Sequence, residues 1–159
     1  MNHNPDDLLV WLDLETTGLN PHRCSIIQMG IIITDNDLNE IEAAEWTILP
    51  PRPEWEEGAQ RMHEVTGLYA RLIAHDGKRW VVPHGAYPDI GDGLVCQREA
   101  LDGAEAFLRR HFPTGFRPML AGNSVHFDWR FLAYSNDGVF AALARRFFHR
   151  HYDASAVME

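Results

Sequence analysis

Two carboxylates, Asp13 and Glu15, stand two residues apart in the apolar run Leu8 to Gly18, which reads Leu-Leu-Val-Trp-Leu-Asp-Leu-Glu-Thr-Thr-Gly. Side chains alternate across a β-strand, so positions i and i+2 share a face, and the two acids should project together near the strand end. Two like charges on a buried strand repel each other and lose hydration, and a divalent cation is the simplest balance. The other reading is a solvated strand end leading into the Thr16-Thr17-Gly18 turn, and the pair alone does not choose between them. A third acid, Asp128, lies in the first turns of an expected helix far along the chain. An Asp-x-Glu on a strand and an Asp on a helix could converge on a pair of Mg2+ or Mn2+ ions, because hard cations take carboxylate oxygens. Such a two-ion site activates a water and steadies the leaving oxygen in phosphodiester cleavage.

The elements that must position these acids can be read in order. In Leu8 to Glu15, Leu8, Val10, Leu12 and Leu14 line one side, and Leu9 and Trp11 precede the acids on the other. That pattern predicts a central strand covered on both faces. Ile26 to Thr34 and Ile41 to Leu49 read as further strands joined by Asp35-Asn36-Asp37 turn chemistry, with Gly30 marking a bulge or a close backbone contact. Pro50, Pro51 and Pro53 stop regular structure. Short helices are expected over Glu56 to His63 and Tyr69 to Ala74. Residues 75 to 95, rich in Gly, Pro and Asp, read as a long loop or small excursion. Gln97 to Phe112 has the apolar spacing of an amphipathic helix. Met119 to Gly122 reads as a short buried strand, Asn123-Ser124 as a helix cap and Val125 to Ala133 as the helix carrying Asp128. Helices are also expected over Val139 to Phe148 and starting at Ala156.

The 159 residues with 45% apolar content fit one globular domain. There is no run long enough to span a membrane, and the polar start Met1 to Asp7 lacks the regions of a signal peptide, so the expectation is a cytoplasmic protein without a membrane partner. Two cysteines, Cys24 and Cys96, exclude a four-cysteine metal site and make a disulfide framework improbable. A net charge of −9 argues against gripping long nucleic acid through many phosphates, but leaves room for a short oligonucleotide held through metal ions.

Several spaced motifs then stand out: Trp11-Leu12-Asp13-Leu14-Glu15-Thr16-Thr17-Gly18-Leu19 running into the hairpin, Met62-His63-Glu64-Val65-Thr66-Gly67-Leu68, Gly122 to Leu132 around Asp128, and Phe148 to Ser155. In that order, over most of the chain, they resemble the oligoribonucleases. These belong to the RNase H-like group of 3′-to-5′ exonucleases that use four acidic residues and a histidine. The resemblance implies an α/β domain of RNase H type, a mixed sheet opening with an antiparallel hairpin and flanked by helices. It implies metal-dependent 3′-to-5′ hydrolysis of short RNA to nucleoside monophosphates, with Asp13, Glu15 and Asp128 as catalytic metal ligands. It also places Leu19 against a base, the backbone around Thr16 near the sugar or 3′ end, and His63, Asn123 and Ser124 beside the substrate. Arg150 would reach the 5′ phosphate from the partner of a homodimer.

The chain departs from that pattern in three places. The family's third motif, a His followed five residues on by an Asp, has no counterpart up to Glu159, since His149 and Asp153 belong to an earlier segment. Three ligands without a general base lead to the expectation that this polypeptide is weak or inactive. The aromatic that stacks on a base just before the His63 motif aligns with Gly58; Trp55 could substitute, or be an ordinary core Trp. Residues 75 to 95 are an insertion relative to typical members. Two other functions stay open: a proofreading-like DNA 3′-to-5′ exonuclease, and a catalytically impaired module binding nucleotides or proteins on the same fold.

Overall fold

The computed structural model describes residues 3–75, 87, 90–135 and 138–157. Six strands form one mixed sheet: β1 (Leu8–Thr16), β2 (Ile26–Asp35), β3 (Glu40–Leu49), β4 (Leu94–Cys96), β5 (Met119–Gly122) and β6 (His151–Asp153), in the spatial order β4-β3-β2-β1-β5-β6. β1 to β3 are an antiparallel meander, while β4 runs parallel to β3, and β5 and β6 run parallel to β1. The helices are α1 (Glu57–Thr66), α2 (Leu68–Ile73), α3 (Gln97–His111), α4 (Val125–Tyr134) and α5 (Ala141–Ala144). The hairpin-led sheet with flanking helices is the architecture expected from the sequence, and β5 has the predicted bounds. No helix among the described residues is long and apolar enough to cross a membrane.

Cross-strand register explains the layering. Val10, Leu12 and Leu14 lie opposite Ile33, Ile31 and Met29, all buried, and this face packs on Phe107 and Leu108 of α3 and Phe131 and Leu132 of α4. The opposite face pairs Trp11 with Ile32, Asp13 with Gly30 and Glu15 with Gln28. Here Asp13 is exposed and Glu15 half-buried, so β1 is central in the sheet yet fully buried on one face only. The expectation of cover on both sides is therefore corrected. Trp11 supplies its own partial cover, giving its indole N–H to Thr34 Oγ1 at 2.9 Å and standing edge-on to Tyr152.

Other expectations also need correction. Gly30 is in regular register, and the irregularities fall at Glu15/Thr16 and Ile33/Thr34 instead. Its role is to present no side chain opposite Asp13, where an added Cβ would meet only Asp13 O at 3.9 Å. Most of the 75–95 stretch lies outside the described residues, but its end forms β4, because Leu94 enters a second small core with Ile27, Leu49, Leu68, Leu72 and Ile90. The helix expected over 139–148 reduces to α5. After Ala144 the bonds become i to i+3 and Phe148 N–H turns to Pro118 O, while Phe140, Leu143 and Phe147 still fill the core. β6, unforeseen, follows. Ala154–Val157 forms a 3-10 turn where a helix was expected to start.

Candidate active site

The site is built where β5 stops pairing with β1. β5 is bonded alongside Leu9, Val10 and Trp11 only, and Gly122 at its end comes so close to β1 that an added Cβ would lie 2.9 Å from Leu12 O. Beyond that point the β1 backbone has no strand neighbour on this side, and a buried N–H must find another acceptor. Asp128, one turn into α4, provides it: its Oδ1 accepts the Leu14 N–H at 3.0 Å. Asp128 is only 4% exposed. Burial is the main reason its carboxyl is pushed up to about 7, and the charges of Asp13 and Glu15 push the same way against the Leu14 hydrogen bond. Glu15 is also raised, first by burial, with His63 opposing and Asp13 adding to the shift. The three acids predicted from sequence are thus electrostatic neighbours in a region short of positive charge. Among the described residues, however, no three His, Cys, Asp or Glu side chains are gathered into a ready-made metal cluster.

His63 closes the other side of β1. It is buried, with Nε2 3.2 Å from Thr16 O and 3.6 Å from Glu15 Oε2, so α1 is pinned to the strand end beside the acids. Thr16 is turned inward, its hydroxyl donating to Gly18 O at 2.7 Å. Leu19 is 74% exposed and lines a cavity of about 340 Å3 with Leu14, Glu15, Met62 and Phe127. A second cavity of similar size is also lined by Glu15 and Met62.

The exonuclease family model matches residues 10–73, which carry Asp13, Glu15, Leu19 and His63. The oligoribonuclease of Vibrio cholerae is 33% identical over 158 residues, covering 97% of this chain and 75% of that protein. The chain belongs to the oligoribonuclease family. The Shewanella loihica oligoribonuclease is 31% identical, with 95% of this chain and 73% of that protein covered. Among solved structures, E. coli exonuclease I in complex with single-stranded DNA, in its metal-free form, superposes on 95% of this chain with a TM-score of 0.58 at 17% identity. The same enzyme with a 5cy-dA13 oligonucleotide gives 0.59. The chain spans only 29% of either exonuclease I chain, and at that identity the likeness shows the fold, an RNase H-like α/β sheet.

Within this member of the family, the structure brings Asp13, Glu15, Asp128, Thr16, Leu19 and His63 around one strand end. Asn123 is exposed at the β5–α4 turn. Ser124 occupies the cap position but makes no side-chain cap bond; it is left-handed, with φ 54°, and its backbone N–H donates to Asp153 Oδ1 at 2.9 Å. Arg150 precedes β6, one position before His151, which pairs with Leu120. That places it level with Met119 and so with Leu9, about 13 Å down the sheet from Asp13 and about 20 Å from Glu15 at 3.3 Å per residue. Trp55 lies edge-on to Tyr69 at 4.8 Å and packs on the second core, the ordinary core reading rather than a free stacking face.

Two residues went unread in the sequence. Glu56 accepts the Leu19 N–H at 2.9 Å and the Cys24 thiol at 3.4 Å, and its own N–H donates to Thr17 O at 2.8 Å, so one side chain sets the loop that carries Leu19. Those donors hold its carboxyl below the usual range. Asp153 also takes the Ser155 hydroxyl at 2.6 Å and His126 Nδ1 at 3.3 Å, and so latches the turn into α4 from β6. Neither had a local signal, since each acts on a partner more than 25 positions away.

Proposed function

We propose that this protein removes nucleoside monophosphates from the 3′ end of short single-stranded RNA, using divalent cations held by Asp13, Glu15 and Asp128. The observation that carries this reading is Asp128 bonded to the Leu14 N–H at the end of β1, within electrostatic reach of Asp13 and Glu15, with Glu15 lining both cavities, in a chain of the oligoribonuclease family. The donor set fits Mg2+ or Mn2+, because all three are hard oxygen ligands, and Glu15 and Asp128, raised mainly by burial and further by neighbouring acids, would be relieved by a bound cation. When bound, such ions lower the pKa of a water and neutralise charge on the phosphodiester. The protein's own residues orient the substrate. Leu19, fixed by Glu56, and Met62 and Phe127 offer an apolar slot for a base. His63 keeps Glu15 and the Thr16 carbonyl in place. The distance of Arg150 from the acids within one protomer supports its acting from the partner of a homodimer.

The test is hydrolysis of a 5′-labelled RNA dinucleotide and a 12-nucleotide single-stranded DNA by the purified chain, with Mg2+ or Mn2+. The expected result is slow conversion of the dinucleotide to mononucleotides, in keeping with three acids and no counterpart of the general-base motif, still faster than DNA trimming and abolished in D13N. A faster DNA reaction would replace this reading with the proofreading-like one. Dinucleotide binding without turnover would replace it with the binding module, which the lack of a ready-made ligand cluster among the described residues favours.

A further inference from the structure

The second cavity joins the His63 motif and Glu15 to two polar residues that no motif includes, Gln28 and Arg71. About 340 Å3 in volume, it is lined by Glu15, Gln28, Met62, His63, Thr66 and Arg71 among others, and lies within the size range of small-ligand sites. It shares Glu15 and Met62 with the apolar cavity that Leu19 and Phe127 line, so one carboxylate lines both. The Leu19 side is mainly aliphatic and aromatic, whereas the Arg71 side adds amide, imidazole, hydroxyl and guanidinium groups to Met62 and Leu68. Among the described residues, Arg71 is the sole Lys or Arg lining either space.

Arg71 is exposed, yet it is held more firmly than an ordinary surface arginine. Its Nε donates to Asp92 O at 3.2 Å, Nη2 donates to the same carbonyl, and Nη1 donates to Thr47 Oγ1 at 3.4 Å. The holding turn is unusual: Gly91, Asp92 and Gly93 have φ values of 81°, 54° and 66°, three successive left-handed residues, one of them not glycine. Such backbone is costly and persists where the surroundings demand it. The partners used are a carbonyl and a hydroxyl, both neutral, and the ion pairs among the described residues do not include Arg71; the Asp92 carboxylate itself meets His75 Nε2 at 2.6 Å. A guanidinium held by neutral acceptors, with no ion pair among the described residues, at the wall of a cavity is suited to an anion, and the guanidinium fork matches phosphate oxygens.

Resting on the function proposed above, we propose that Arg71 binds a phosphate of the oligonucleotide. The Arg71 cavity takes its sugar-phosphate while the Leu19 cavity, which shares Glu15, takes a base, and the 91–93 turn holds the guanidinium for this purpose.

The test is equilibrium binding of a radiolabelled 5′-phosphorylated RNA dinucleotide to the full chain in Ca2+, across a salt series, followed by turnover in Mn2+. R71Q is expected to bind about tenfold more weakly, with kcat within about twofold of wild type. The slope of log affinity against log salt should fall by about 0.7, the loss of one phosphate contact on a single strand. R71K, which keeps the charge and loses the fork, should retain the slope and bind about threefold more weakly. A merely structural role in holding the turn would leave the slope unmoved in R71Q. Repeating the titration without the 5′-phosphate identifies the phosphate: a surviving R71Q defect assigns the internal one, and a vanished defect the terminal one. An R71Q affinity within twofold of wild type, at unchanged slope, would overturn this inference alone. If R71Q does not fold, R71K decides, and wild-type affinity there would overturn it. A wild-type chain that neither binds nor hydrolyses the dinucleotide would overturn the proposed function, and this inference with it.

Discussion

Replacing Asp128 with Asn should make the fold more stable while disabling the site. The Asn oxygen can still accept the Leu14 N–H, so the backbone group that Asp128 satisfies stays paired. What disappears is the cost of ionising a buried carboxyl beside two other acids. Its pKa of about 7 in the fold, against 3.8 as the ordinary value, is a gap of about three units, or on the order of 4 kcal/mol at 1.36 kcal/mol per unit. Because the folded value is the higher one, the wild type is at its best below pH 4 as far as this group is concerned, and loses stability as pH rises from about 4 to 7. At pH 5 the cost is about 1.6 kcal/mol, and from pH 8 upward the full amount. D128N should therefore gain over wild type by a further 2 to 3 kcal/mol between pH 5 and pH 8, about 5–10 °C in Tm for a chain of this size. The assay is thermal melting of both proteins in EDTA at pH 5, 6, 7 and 8, then with Mn2+ at pH 8. The cation should raise the wild-type Tm and leave D128N unmoved. A Tm difference that is flat with pH, or a D128N protein less stable than wild type at pH 8, would refute the account of a strained acidic site.

Three further outcomes follow from the packing. Gly122→Ala would press a methyl to 2.9 Å from Leu12 O and 3.3 Å from Val125 Cβ, so urea unfolding should show a loss of about 1–3 kcal/mol, with activity falling as α4 shifts. Glu56→Ala removes the acceptor of the Leu19 N–H, and steady-state kinetics on a dinucleotide should show KM raised about fivefold with kcat within twofold; an unchanged KM would remove Glu56 from substrate positioning. Gly58→Phe should cost no stability, because an added Cβ meets nothing within 4 Å and a helical glycine is replaced, and melting should show an equal or higher Tm. The new ring, on a residue that lines the Leu19 cavity, should lower the dinucleotide KM.

Much of the sheet was legible because strand register and alternation are local properties. Ile26 to Thr34 and Met119 to Gly122 carry β-branched or apolar runs bounded by turns, and they became β2 and β5. Asp13 and Glu15 shared a face for the same reason. What eluded the sequence was set across distance. Leu9 and Trp11 suggested a covered second face, but whether that face is buried depends on what packs there, which alternation does not reveal. Residues 139–148 have a helical apolar rhythm, yet Phe148 is drawn to Pro118 and ends the helix early. In the sequence Glu56 reads only as a helix start and Asp153 only as part of the 148–155 motif, while nothing singles out Arg71; their roles come from a loop, a helix start and a turn elsewhere in the chain. Ser124 does stand at the start of α4, but its side chain caps nothing there, and its own N–H is held by a carboxylate 29 positions away.

The hydrogen bond from Leu14 to Asp128 joins residues 114 positions apart, and the latch on the α4 turn comes later still, from Asp153. The β1–β3 meander can form from neighbouring sequence, but the acids meet only after the loop between them has closed, the slowest kind of contact to make. A partly folded or nascent chain therefore has its first two carboxylates on a formed strand and no third to complete the set. Whatever phosphodiester cleavage the site performs is thereby tied to completion of folding, so that intermediates, however compact, would be inert toward the RNA around them.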